Sequence, residues 1–398
     1  MTTAATPPGA AGTSVAGFGV GTGVWSDLVG QERVVEVLAQ AVASPAGMTH
    51  AWLFTGPPGS GRSTAARAFA AALQCLRGGC GECAACRTAL GGTHADVEVV
   101  TTTKLSIGVA DARTLVAHAA RYPAGGRWQV IVLEDADRLT DSAANALLKA
   151  IEEPTPRTVW LLCAPGADDV LPTIRSRCRL LSLRTPPTAA VAEVLVRRDG
   201  IDPPMASFAA RAAQGHIGRA RRLATDEQAR LRRHEVMRLP QSLDRVSSAV
   251  TAAGELVAAA TEEANETAGT AAAAETEDVK RALGVGVGSR QPAGAAAILG
   301  ELEKEQKRRA TRAKRDGIDR ALVDLAGFYR DVLAVQADAE VELVNEEMRD
   351  AVTAVARSSW PETTLRRIDA VLRAREQVDL NVAPLLAVEA MTMALRRG

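Results

Sequence analysis

Gly56-Pro57-Pro58-Gly59-Ser60-Gly61-Arg62-Ser63 is the stretch on which the reading of the first half of this chain turns. It follows the apolar run Ala51-Trp52-Leu53-Phe54 and leads, through Thr64, into an alanine-rich stretch of helical character. A strand, a glycine-rich turn and a helix start in that order form a cradle for an anion. Glycines permit the tight turn, and backbone N–H groups at the helix N-terminus face a phosphate. The spacing G-x-x-x-x-G-x-S is that of a P-loop, which makes Gly56, Pro57, Pro58, Gly59, Ser60, Gly61, Arg62, Ser63 and Thr64 candidate nucleotide-binding positions. The position that carries Lys in an active loop is Arg62. Arginine is longer, planar and forked where lysine is a compact point charge, so backbone cradling survives the exchange while catalytic placement suffers.

Outward from the loop, Val97-Glu98-Val99-Val100, Val130-Ile131-Val132-Leu133 and Val159-Trp160-Leu161-Leu162 are further strand-like runs with amphipathic stretches between them. That alternation, from Trp25 to about Arg184, predicts an α/β domain with a parallel sheet covered on both faces. The run at 130–133 ends in Glu134-Asp135. A Walker B element has the opposite order, an Asp that serves Mg²⁺ and then a Glu that polarises water. The exchange moves each carboxylate by about 1.5 Å. A misplacement of about 1 Å costs on the order of a hundredfold in rate. Arg62 and the reversed acids act on the same step and predict an ATPase that is impaired or absent, leaving ATP and Mg²⁺ binding open.

Cys75-x₄-Cys80-x₂-Cys83-x₂-Cys86 brings together four of the six cysteines. Four thiolates at this spacing can close a tetrahedral structural site, for which Zn²⁺ is the fitting ion. Such bunching suits a metal site in a reducing compartment better than a disulfide framework. Cys163 reads as strand core, and His94 is a conceivable but unneeded further ligand. Lys plus Arg and Asp plus Glu number 47 each, so the overall charge favours neither nucleic acid nor membrane. At 3% aromatic content, platforms for stacking bases are not expected. No apolar run approaches the roughly 18 residues a membrane span needs. Residues 1–24 lack a secretory signal's basic start and apolar core and read as a disordered tail, consistent with a cytoplasmic protein.

After Thr185-Pro186-Pro187 the strand-like runs stop. Residues 186–240 read as a small helical unit punctuated by Gly215 and Gly218. Residues 241–398 read as a second helical domain: Ile318, Leu322, Leu325, Phe328 and Val332 recur at helical spacing, as do Val382, Leu385, Leu386 and Leu395. Within it, 250–299 is low-complexity Ala, Glu and Thr followed by a Gly-rich segment, which predicts a flexible insert. The basic stretch from Lys304 to Arg315 is interleaved with Glu and Ala and reads as a solvated helix face, with contact to DNA or a partner as the alternative. Ser176-Arg177-Cys178 would lie at the edge of the sheet domain, where an arginine-rich turn is ordinarily solvated surface.

The order P-loop, four-Cys insertion, Walker B, Asn145-Ala146-Leu147-Leu148-Lys149-x-x-Glu152-Glu153-Pro154 and Ser176-Arg177-Cys178 resembles the bacterial clamp-loader AAA+ subunits of the DNA polymerase III holoenzyme. Trp25 to Gln31 looks like their adenine-pocket segment, and Asn381 to Leu386 is similar to the end of their collar. The resemblance implies an AAA+ P-loop domain over 25–185, a helical lid over 186–240 and an all-α C-terminal collar over 241–398. It further implies Arg177, flanked by Ser176 and Cys178, as an arginine finger acting in trans on a neighbour's ATP, and Arg219 of Gly215-x-x-Gly218-Arg219 as the sensor 2 residue. Implied partners are the tau/gamma motor subunits and the delta subunit, with the sliding clamp and primed DNA reached through the complex. The implied setting is the cytoplasmic, nucleoid-associated replisome, with no membrane contact and no polymerase chemistry in this chain. Arg62, Glu134-Asp135 and the sensor 1 region Cys163-Ala164-Pro165 depart from the motor pattern and point to a non-motor, stator-type subunit. An ATP-hydrolysing tau/gamma-like motor and a zinc-stabilised adaptor unrelated to clamp loading are the alternatives.

Overall fold

Runs of β-branched and aromatic residues with no polar face must be covered on both sides. All four predicted runs are strands in the computed structural model, which describes residues 21–44, 47–102, 106–285 and 294–397. They are β1 (Ala51–Thr55), β2 (Val97–Val100), β3 (Gln129–Leu133) and β4 (Thr158–Ala164), joined by a short edge strand, β5 (Arg179–Ser182). The order is β2-β3-β4-β1-β5. Every pairing is parallel, with Phe54 opposite Cys163 and Leu133 opposite Leu162. All strands therefore end on one edge of the sheet, the edge on which open α/β folds build their sites.

A 3₁₀ turn (Gly23–Trp25) precedes α1 (Glu32–Ala43), and α2 (Arg62–Gln74) follows β1. Then come α3 (Ala84–Leu90), α4 (Val109–Ala119), α5 (Asp141–Glu152), α6 (Pro172–Arg175) and α7 (Thr188–Asp199). One face of the sheet packs against Val35, Leu38 and Phe69, where Trp52 meets Phe69 edge-on at 5.1 Å. The other face packs against Leu115, Leu147 and Ile151. Each such fully buried side chain contributes about 1.5–3 kcal/mol. The parallel sheet covered on both faces is as the sequence predicts. Val24 and Trp25 are buried in the first of these layers, so the packed part of the chain reaches into the predicted tail. Residues 1–20 of that tail lie outside the described residues.

The chain divides into two compact units, with the border between Val194 and Leu195. The second contains α8 (Pro203–Ala212), α9 (Ile217–Thr225), α10 (Glu227–Ser242), α11 (Val246–Ala282), α12 (Ala295–Gln336), α13 (Arg349–Ser358), α14 (Pro361–Asp379) and α15 (Pro384–Arg397). The expected collar and the expected lid from Leu195 onward thus fall within one unit and share a buried polar network, while residues 186–194 of the expected lid belong to the first unit. Arg233 reaches Asp324, Asn345 and Glu347, while fully buried Asp331 accepts the backbone N–H groups of Val344 and Asn345.

Two expectations are corrected here. The predicted flexible insert is largely helix: α11 runs to Ala282 and α12 starts at Ala295, with 286–293 outside the described residues. The alanines that look like low complexity are the strongest helix formers. Gln306 Nε2 on α12 donates to the Ala272 carbonyl and to Thr276 Oγ1 on α11, so the two helices meet side by side. Of the predicted C-terminal stripe only Leu395 is buried; Val382, Leu385 and Leu386 are exposed, and α15 packs through Ala387, Val388 and Met391 instead. Ile318, Leu322, Leu325, Phe328 and Val332 are all buried, as their spacing predicts. No helix among the described residues is long and apolar enough to cross a membrane.

Candidate functional site

The loop at 56–63 sits between the end of β1 and the start of α2, at the strand-end edge of the sheet. Gly56 donates its N–H to the Pro165 carbonyl beyond β4, and Ser60 donates to the Pro57 carbonyl. Gly56 has φ +150°, and a Cβ there would stand 2.6 Å from the Leu183 carbonyl oxygen. Gly61 caps α2 with φ +92°. The backbone shape of a phosphate cradle is thus intact. Ser60 is buried inside it, with its hydroxyl unpartnered among the described residues; Thr64 is exposed.

The side chains around the cradle are committed elsewhere. Arg62 turns back on its own loop and donates from Nη1 to the Gly56 carbonyl. Burial lowers its pKa, against the pull of Cys163, Asp137, Asp135 and Asp169. Glu134 at the end of β3 accepts from Arg67 Nε of α2 at 2.6 Å. Asp135 accepts the Thr102 N–H at 3.0 Å and lies 3.8 Å from Arg138 Nε. Burial, reinforced by the charge of Asp135, raises the pKa of Asp137. Cys163, beneath the loop on β4, is fully buried and its thiol is pushed well up, as its core reading predicts. Arg67 has no signature in the sequence; it stands among alanines five residues beyond Arg62 on the same helix, and only the fold brings it to Glu134.

Arg177 lies in the turn between α6 and β5 with its side chain 37% exposed. Its Nη1 donates to the Thr173 carbonyl at 2.6 Å and to Ser176 Oγ at 3.1 Å, and its Nη2 pairs with Glu152 at the C-terminal end of α5. Glu152 falls inside the Asn145–Pro154 run, and its pairing with Arg177 was not foreseen. Cys178 is half-buried, its thiol pushed up to about 12 by burial. Arg219, in the second unit, pairs with Asp324 of α12, both side chains 10% exposed or less. Its predicted sensor 2 role gains nothing from this geometry, because the guanidinium is engaged within its own unit.

The four cysteines converge at the opposite end of α2, about 18 Å along the helix from Arg62 at 1.5 Å per residue. Their sulfurs lie within 4.8 Å of one another. Cys75 to Cys80 is 3.6 Å, Cys75 to Cys83 is 3.8 Å and Cys80 to Cys86 is 4.0 Å. A tetrahedral ion with ligands at about 2.3 Å sets its sulfurs about 3.8 Å apart, so the four thiols can hold a metal ion such as zinc. Burial opposes ionisation of Cys80, yet the N–H groups of Cys83 and Glu82 and the thiols of Cys75 and Cys83 bring it down to about 6. Arg77 Nη2 also donates to this sulfur at 3.0 Å. Val24 N–H donates to the Gly79 carbonyl, and a Cβ at Gly23 would collide with that oxygen, so the cysteine loop and the 3₁₀ turn at Gly23–Trp25 fit closely. His94 is not among the converging ligands; its Nδ1 accepts the Asp96 N–H.

Residues 30–187 match the family described as DNA polymerase III, delta subunit. The chain is 40% identical over 154 residues to the DNA polymerase III subunit delta' of Pseudomonas aeruginosa, covering 37% of this chain and 47% of that one. It is 24% identical over 371 residues to subunit delta' of Bacillus subtilis, covering 92% of this chain and 97% of that one. It is 35% identical over 179 residues to subunit gamma/tau of Mycobacterium tuberculosis, covering 44% of this chain and 31% of that one. The chain thus spans about a third to a half of the Mycobacterium and Pseudomonas relatives and nearly all of the Bacillus one.

Proposed function

We propose that this chain, whose residues 30–187 match the DNA polymerase III delta family, is a delta-prime-type stator of the clamp loader: a non-motor subunit of the complex that loads the sliding clamp onto primed DNA. The contrast between two arginines carries this reading. Arg62, where a motor has lysine, is folded onto the Gly56 carbonyl, whereas Arg177 stands exposed beside one surface carboxylate. Glu134, drawn to Arg67, adds to the first half of the contrast.

In this reading motor subunits of tau/gamma type bind ATP, and Arg177 reaches across to the developing phosphate charge of an adjacent one. An arginine supplied in this way contributes about 10³ to 10⁵ in rate. The proposed nucleotide site at 56–64 is vestigial, and the cysteine cluster holds one structural Zn²⁺ that braces the C-terminal end of α2. The second unit supplies the collar contacts with tau/gamma and delta, in a cytoplasmic replisome. The test is reconstitution with motor and delta subunits, comparing wild type with Arg177→Ala. ATP turnover stimulated by clamp and primed DNA should collapse in the variant; unchanged turnover would rule out the finger.

The 35% identity to a gamma/tau subunit and the intact loop backbone favour a second reading, an ATP-hydrolysing motor. Turnover by the isolated chain decides between them. A motor hydrolyses ATP on its own and loses that activity when Arg62 is changed; a stator shows background only.

A further inference from the structure

A cavity of about 540 Å³ opens among α9, α10, α11 and α12, wholly within the second unit. Ligand pockets span about 300–1,000 Å³. Small residues create it: Ala252, Ala259, Ala260, Gly317 and Ala321 line the sides from α11 and α12, where larger side chains would fill the space. At Gly317 a Cβ would stand 3.3 Å from that of Ala260. Leu223, Val236, Leu239 and Leu256 supply an apolar surface.

The polar lining holds six arginines against four acids, Glu235, Glu255, Glu263 and Asp324, and is incompletely satisfied. Arg222, Arg232 and Arg320 gather on the Glu263 carboxylate, Arg320 Nη2 at 2.7 Å and Arg232 Nε at 3.7 Å. Asp226 is the second acid of the group, 3.6 Å from Arg222 and 3.8 Å from Arg232. Three guanidiniums against two carboxylates leave one positive charge over. Both ion pairs of Arg232 are longer than a hydrogen bond, and its Nε is buried with no acceptor among the described residues. A buried N–H without a partner is costly to the fold, so such a group favours any acceptor that reaches it. Arg238 adds a further guanidinium to the lining, and makes no ion pair among the described residues.

We infer that this cavity binds a small organic anion, with an oxyanion headgroup on Arg232 and Arg320 and a short apolar body against Leu239 and Leu256. Phosphate esters and carboxylic acids share that chemistry. The site is independent of the P-loop, and it spans the residues expected as lid and those expected as collar.

Hexyl phosphate, hexanoate, hexylamine and inorganic phosphate, titrated calorimetrically into the full chain at neutral pH, test the inference. Hexyl phosphate and hexanoate should bind one per chain, and the tighter of the two identifies the headgroup class. Inorganic phosphate should bind at least tenfold more weakly, and hexylamine should not bind. Arg232→Gln should weaken the better ligand about tenfold. Ala259→Phe should abolish binding by filling the cavity. Gly56→Ala, which obstructs the P-loop, should leave it unchanged. Equal binding of hexylamine, retained affinity in Ala259→Phe, or loss in Gly56→Ala would each overturn the assignment. The ligand series on the unmodified chain decides even if a variant fails to fold.

Discussion

Arg62 and Arg177 lie on the same α/β unit and have opposite environments. Arg62 is folded into the loop that it would have to serve, and its charge is spent on a carbonyl of that loop. Arg177 stands on a short turn at the surface, held by backbone, hydroxyl and one carboxylate. Engagement at one position and exposure at the other fit the proposal of a backbone scaffold kept for a neighbour's chemistry rather than its own. A P-loop shape is therefore insufficient evidence for turnover; the side chains that cross it decide.

Replacing Arg177 is the most severe challenge to this contrast. Arg177→Ala in the reconstituted complex should lower turnover at the site it serves by about 10³-fold or more, measured as ATPase in the presence of clamp and primed DNA. Metal removal should act on stability and leave the contrast intact, since the cysteines sit at the far end of α2. Cys80→Ser, or chelation, should cost about 3–4 kcal/mol and lower the melting temperature by roughly 10 °C. Elemental analysis should find one zinc per chain; a metal-free chain of equal stability would remove the bracing role. Arg62→Lys should release the Gly56 carbonyl and strengthen ADP binding about tenfold, as a charge-assisted hydrogen bond of about 1.5–3 kcal/mol allows. Equilibrium dialysis checks that binding change, while turnover in a hydrolysis assay should stay at background, because Glu134 remains on Arg67. Restored hydrolysis from this one change would erase the difference between the two arginines. Glu152→Gln should have the smallest effect, a two- to fivefold rise in the complex's turnover as Arg177 is released, since exposed ion pairs contribute about 0–1 kcal/mol.

Much of this was legible in the residues. β1, β3 and β4 are continuous apolar runs, and such runs have few alternatives to a buried parallel strand. The cysteine spacing led directly to the observed cluster. β5 escaped notice because Arg179-Leu180-Leu181-Ser182 is short, lies at the sheet edge and buries little besides Leu181. α11 is hard to read because its buried stripe, Ala249, Ala253, Leu256, Val257, Ala260 and Ala264, is mostly alanine and does not stand out from the Ala, Glu and Thr around it. Its alanines nevertheless carry the propensity that a pattern count overlooks. Partnerships across long sequence separations, Glu134 with Arg67 and Arg219 with Asp324, have no local signature at all.

The central position of β1 has a consequence for synthesis. β1 is complete at Thr55, but the strands on either side of it begin only at Thr158 and Arg179. At about 5–20 residues per second, a gap of about 100 residues leaves this apolar strand unpaired for roughly 5–20 s after it is made. The cysteine loop has no such delay, because Cys75 to Cys86 can close on a metal while the rest of the sheet is still on the ribosome. The earliest fixed point of the nascent chain would then be at the C-terminal end of α2, and α2 would already be anchored when β4 arrives.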